Sequence, residues 1–146
     1  MQLSGFPRVR LAHLPTPLEE MRNFSKVLDG PRLFVKRDDC TGLGLGGNKI
    51  RKLEFLMGEA LELKADTVIT TGGVQSNHAR QTAAVAGKLG MEAILLLRGE
   101  EPEEVRGNLL LDRILGAQVR FVEASDFLEV DRAAYTLGSE LEASGK

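Results

Sequence analysis

GLGLGGNKIRKLEFL, residues 42–56, is the stretch on which the reading of this chain turns. Four of its first six residues are glycine, and Asn48 and Lys49 follow directly. Glycine tolerates positive φ and close backbone approach, at an entropic cost that mere filler would not justify. Ile50, Leu53, Met57, Ala60 and Leu61 then recur at helical spacing, so a glycine loop opens a helix predicted over residues 49–64. Asn48 is placed to cap that helix, with Lys49 in its first turn and Lys52 a turn further along the same face. A helix N-terminus carries partial positive charge, which disfavours a cation and favours phosphate and other anions. Lys49 is therefore either a solvated surface lysine or an amine held where its protonated form is disfavoured. The second condition is what a lysine needs to condense with an aldehyde.

Downstream of this helix the chain alternates. Residues 67–71 read as a short β-branched strand, followed by Gly72-Gly73. Residues 77–89 form an alanine-rich helix ending at Gly90, a good residue for a left-handed cap. Residues 93–97 are a continuous apolar run, as in a strand buried on both faces. A helix over 106–115, a strand over 119–122 and a helix over 129–143 complete the series. Strands alternating with helices predict an α/β fold, a three-layer arrangement of a parallel sheet with helices on both faces. Upstream, residues 1–31 contain four of the five prolines. Thr16 and Glu19 are spaced as a capping box, which predicts a short helix over residues 17–27. Residues 33–36 read as a strand that runs into the charged loop 37–41 and so into the glycines.

The 146 residues suit one domain with a sizeable core. Hydrophobic residues make up 42% of the chain and charged residues 27%, with a formal net charge of −2 and the two signs interspersed. That balance speaks against a nucleic-acid surface or a membrane patch, and the short apolar runs against a bilayer span. The first residues lack the charged leader and apolar core of a secretion signal. Cys40 is the only cysteine, so no internal disulfide is expected and a cytoplasmic location fits. His13, His78 and Cys40 do not share a metal-ligand spacing.

A second constellation, GGVQSNH at residues 72–78, lies between a predicted strand and the helix it feeds. Ligands of open α/β sheets bind outside the carboxyl ends of the strands, where these residues must fall. Ser76 and Asn77 are also ordinary helix caps, but capping does not require Gly-Gly before them and Gln75 between. His78 stands in the first turn, where its charged form is disfavoured. Gly42, Gly44 and Gly47 also satisfy the dinucleotide pattern G-x-G-x-x-G. Five residues separate that loop from its strand, and the acid at the usual distance, Asp66, precedes the next strand instead of ending it. A nucleotide loop also leaves Lys49 unexplained. Two polar loops, one leading to Lys49 and one bearing Ser76, are expected to follow successive strands and to converge on one crevice.

GGNKIRKLEFL together with GGVQSNHARQTAAVAGKLG resembles the 1-aminocyclopropane-1-carboxylate deaminase and D-cysteine desulfhydrase family, whose members use pyridoxal phosphate on a fold like that of the tryptophan synthase β subunit. The likeness continues through GNLLLDRILGAQV, and Lys49 and Ser76 stand 27 residues apart. The resemblance implies that Lys49 carries the cofactor covalently, that Lys52 binds its phosphate and that Asn77 binds its phenolic oxygen. It implies that Ser76 lies against the substrate Cα and carboxylate, and that the backbone at Gln75, Ser76, Asn77 and His78 holds that carboxylate. QSNH resembles the desulfhydrase branch more than the deaminases. Family members are about twice as long, so residues 1–49 would be the first segment of a large domain and residues 50–146 the small domain, with the later half outside this chain. Apolar surface is then expected to be exposed on residues 1–48. The resemblance further implies a small amino acid as substrate and a homodimer for the full-length protein. The alternative is a non-catalytic α/β module.

Overall fold

The computed structural model describes residues 3–145. β3 (Thr67–Gly73), β4 (Glu92–Arg98) and β5 (Gln118–Val122) form a parallel sheet in that order, with Ile69 opposite Ile94 and Leu95 opposite Val119. α3 (Asn77–Leu89) and α4 (Gly107–Ile114) are the crossovers. Right-handed crossovers that step the same way across a sheet leave their helices on the same face. Ala79, Ala83, Leu95, Leu97 and Leu109 are buried together there. The alternate residues of β4, Ile94 and Leu96, pack on Val130 of α5 (Phe127–Ala143), which covers the opposite face. β4 is thus buried on both sides, as its unbroken apolar run requires, and each such Leu or Ile contributes about 1.5–3 kcal/mol on burial. α2 (Ile50–Glu62) flanks α3 and packs Ile50, Leu53 and Met57 on Val85 and Ala86.

Local chemistry sets the helix ends. α3 stops where Gly90 turns left-handed, at φ 76° and ψ 21°. α5 starts at Asp126, whose carboxylate accepts the Glu129 N–H at 3.0 Å. Residues 8–12 are lashed to α2 by Glu54, a carboxylate only 1% exposed. It accepts the Leu11 and Ala12 N–H groups, each at 2.9 Å, and Arg8 Nε at 2.7 Å. Burial pushes its pKa up, yet the Ala12 and Leu11 amides and Arg8 together hold it below the ordinary carboxylate value. Gly58 leaves room for this strap, since a Cβ there would stand 2.6 Å from the Arg8 nitrogen.

The N-terminal region departs from the sequence reading. No helix spans residues 17–27: β1 (Leu18–Glu20) pairs antiparallel with β2 (Phe34–Lys36), and α1 covers only Arg22–Val27. The Thr16–Glu19 capping box does not form. Thr16 is buried and donates to Asp38 at 3.1 Å, while Glu19 accepts from Arg37 at 2.8 Å. Pro15 and Pro17 favour an extended chain beside a strand edge able to pair with it. β2 therefore belongs to a two-stranded hairpin and not to the parallel sheet. This region also exposes apolar side chains: Leu18, Phe24, Val27, Leu28 and Phe34 are all at least 49% exposed. Among the described residues, no helix is long and apolar enough to cross a membrane.

Candidate active site

The glycine loop is shaped by what it packs against. Gly42, Gly44, Gly46 and Gly47 all have positive φ. A Cβ on Gly44 would stand 2.7 Å from Ala84 Cβ of α3, and one on Gly46 would stand 1.9 Å from the Asp39 carbonyl oxygen. Two of the loop amides are bonded locally. Gly46 N–H donates to the Gly42 and Leu43 carbonyls, and Gly47 N–H donates to the Asp38 carbonyl and to Thr41 Oγ1, both at 2.8 Å. A phosphate cradle needs such amides free, so these glycines serve close packing, Gly44 and Gly47 against α3, Gly42 against His13 and Gly46 against Asp39, and not a dinucleotide. Their carbonyls face the same helix: Arg80 Nη2 donates to Gly46 O at 3.1 Å, and Gln81 Nε2 donates to Gly47 O at 3.3 Å.

Lys49 follows this clamped loop and occupies the N-cap position of α2, half-buried, at φ −68° and ψ −24°. Asn48 does not cap the helix. It is exposed, and the N-cap position makes no side-chain hydrogen bond. The helix begins on backbone contacts alone, with Leu53 N–H donating to Lys49 O at 3.1 Å. Lys52 is exposed one turn on.

The second loop turns sharply from β3 into α3. Ser76 N–H donates to Gly73 O at 2.9 Å, and Ser76 Oγ accepts the Ala79 N–H at 3.2 Å as the N-cap of α3. Gly72 has no room for a side chain, because its Cβ would stand 2.7 Å from Ser76 Cβ. The Gln75 side chain stakes the turn to the start of α4, donating to Arg106 O at 3.0 Å and accepting the Asn108 N–H at 2.8 Å. Asn108 Nδ2 returns a bond to Gln75 O at 2.8 Å. Asn77 is exposed at the first turn, where backbone N–H groups have no partner within the helix.

His78 joins the two loops electrically. Burial pushes its pKa down to about 4, with the Lys52 and Lys49 charges pressing in the same direction. Its Nε2 lies 3.1 Å from Thr70 Oγ1, and its buried Nδ1 has no hydrogen-bond partner among the described residues. The charges of Lys52 and Lys49 thus reach the first turn of α3. The route differs from successive strands of one sheet: α3 itself grips the glycine loop. Arg80, Gln81, Thr41 and Asn108, which hold both loops, escaped the sequence reading. Two long polar residues in an alanine-rich helix were the available signal.

Residues 9–145 match the family model described as pyridoxal-phosphate dependent enzyme. A Pyrococcus furiosus protein provisionally named 1-aminocyclopropane-1-carboxylate deaminase is 51% identical over 99% of this chain and 43% of its own length. A Salmonella paratyphi B protein named D-cysteine desulfhydrase is 45% identical over 98% of the chain and 44% of its own length. A solved structure described as an ACC deaminase homologue superposes with a TM-score of 0.92 at 49% identity, over 99% of the chain and 43% of that structure. The chain spans less than half the length of these relatives. With nearly all its residues matched, the chain belongs to the pyridoxal-phosphate-dependent enzyme family.

Proposed function

We propose that the chain is the N-terminal part of a lyase that uses pyridoxal phosphate to deaminate a small amino acid, and that its substrate is D-cysteine, converted with water to pyruvate, sulfide and ammonia. The observation that supports this reading is that His78, in the first turn of α3 next to Ser76 and Asn77, is buried with an unpartnered Nδ1 and lies within reach of the Lys49 and Lys52 charges. These residues fit the cofactor: a primary amine for its aldehyde, a second lysine and a helix N-terminus for its anionic groups, and a buried, unpartnered His78 nitrogen as a further polar contact. Bound there, pyridoxal phosphate supplies an aldehyde for the substrate amine and a ring that takes up the electron pair released at Cα.

Lys49 Nζ would hold the cofactor by its aldehyde and, as a free amine, would serve as the base for the Cα proton. Lys52 would bind the phosphate and Asn77 the ring oxygen. The Ser76 hydroxyl would face Cα and the carboxylate, while the amides of Gln75, Asn77 and His78 would hold that carboxylate at the helix N-terminus, the Ser76 N–H being already given to Gly73 O. His78, uncharged at neutral pH, bonds without adding a third positive charge to the two lysines.

A second reading is 1-aminocyclopropane-1-carboxylate deamination to 2-oxobutanoate and ammonia, favoured by the Pyrococcus names. Assaying both substrates separates the two, since only D-cysteine releases sulfide. The division into residues 1–49 and 50–146, a homodimeric full-length protein and a cytoplasmic location belong to the same proposal. The apolar exposure of residues 18–34 supports the first, and the lone, exposed Cys40 the last. The test of the core reading is the absorbance band of lysine-bound cofactor in the full-length protein. Lys49→Ala abolishes it; an unchanged band would sink the assignment.

A further inference from the structure

Arg80 is a long cation 93% removed from water in an alanine-rich helix, since it is only 7% exposed. A guanidinium in such a place needs a reason, because its charge and donors lose hydration there. Its ordinary reason would be a closed ion pair, and the acid whose charge acts on it, Asp112 of α4, is fully buried. Yet neither Asp112 oxygen has a hydrogen-bond partner among the described residues, and neither do Arg80 Nε and Nη1. The two charges feel each other without touching in a fork. The hydrogen bond that Arg80 does make is from Nη2 to the carbonyl of Gly46.

That bond joins the two halves of the site. Arg80 is one turn below Ser76, with its own N–H on Ser76 O at 3.2 Å. Gly46 is three residues before Lys49. Gly46 sits at φ 72° and ψ 177°, a conformation that side-chain-bearing residues avoid and that glycine, free to take many others, holds here through its contacts. The Gly46 N–H and the Gly47 N–H are fixed from within the loop, so Arg80, with Gln81 beside it, fixes the carbonyl side from outside. We propose that Arg80 is a positioning residue for Lys49: holding the Gly46 carbonyl from α3, it sets where the lysine amine is presented relative to Ser76. The inference rests on the reading of Lys49 as the cofactor-bearing amine.

The test uses full-length protein with Arg80→Met, which keeps bulk and removes every donor, and Arg80→Lys, which keeps the charge and one donor group. Amide hydrogen exchange without added cofactor is followed at residues 42–49 and, as reference, across β4. The expected result is exchange at 42–49 at least tenfold faster in Arg80→Met, with β4 unchanged and Arg80→Lys between the two. Capture of pyridoxal phosphate, followed by its lysine-bound absorbance, slows in the same order. Unchanged exchange at 42–49, or an equal rise over β4, overturns the proposal; if Arg80→Met fails to fold, the same criteria are read from Arg80→Lys. A parent protein with no Lys49-dependent band overturns the lysine reading instead, and the exchange measurement still decides the clamp.

Discussion

Gly46→Ala tests whether the glycine loop is built for packing. At Gly46 the backbone lies at φ 72° and ψ 177°, and holding alanine there costs on the order of 1–3 kcal/mol. The new methyl would also stand 1.9 Å from the Asp39 carbonyl oxygen and 2.8 Å from its carbon. Backbone cannot be rotated aside as a side chain can, so the 38–41 turn and residue 46 must separate. That separation loosens two bonds, Gly47 N–H to Asp38 O at 2.8 Å and Arg80 Nη2 to Gly46 O at 3.1 Å, each contributing about 1 kcal/mol. The total against the native loop is about 3–5 kcal/mol. The sheet and its helices share no backbone with this turn, so they stay folded while the competent loop becomes a minor state. Apparent affinity falls in proportion to that population, which predicts a cofactor dissociation constant raised by roughly 10²-fold or more. Absorbance titration of full-length protein with pyridoxal phosphate measures it. Gly116→Ala is the control, with a comparable φ of 83° but nothing within 4 Å of the added carbon; it should bind as the parent does. Binding by Gly46→Ala within threefold of the parent would refute the reasoning.

Two further perturbations probe the buried charges. Glu54→Gln leaves Arg8, itself 38% exposed, facing an amide and weakens the charge-assisted bonds to the strap at a cost of about 1–2 kcal/mol; trypsin should then cut after Arg8 or Arg10, and an unchanged digest with unchanged denaturant stability would contradict the strap. Asp112 has its pKa pushed up to about 6 by burial, with Arg80 pulling the other way. A raised carboxyl pKa means that the folded state binds the proton more tightly than the unfolded chain. Its stabilising contribution is therefore present below about pH 4, the unfolded value, and is lost as pH rises through 6. Asp112→Asn, a mimic of the protonated acid, should remove that slope and gain on the order of 2 kcal/mol at pH 7. Parallel stability curves for parent and variant between pH 4 and 7 would rule this out.

The regular part of the fold could be read from sequence because local and tertiary preferences agree there. Residues 93–97 are apolar without interruption and are buried on both faces. Gly90 takes the left-handed cap that its position after the alanine-rich helix predicts. Ser76 opens α3 where its neighbours place it. Upstream the two levels compete. Thr16 and Glu19 have capping-box spacing, but a box forms only if residue 17 onward enters the α region, and pairing with β2 takes those residues into a strand first. Asn48 fails as a cap for a related reason: the glycines before it already fix the backbone, and Lys49 enters the helix on main-chain bonds alone.

The same distinction separates what was legible in the candidate site. Lys49, Ser76, Asn77 and His78 announce themselves because each is a reactive or polar type at an element's start. The residues that hold them do not, since Arg80 and Gln81 look from sequence like the solvated face of α3. Only the fold shows that this face is inside, pressed on by the glycine loop at the methyl-to-backbone distance that Gly44 allows. A glycine-rich stretch beside a lysine therefore has two physical explanations, close approach to a ligand or close approach to a helix. They differ in where the loop's amides go. Here the Gly46 and Gly47 N–H groups are bonded within the loop region, and Gly44 and Gly47 leave no room for a side chain against α3, so the second explanation holds for these glycines; on the function proposed above, an anion would then be met by the head of α3 and not by the loop.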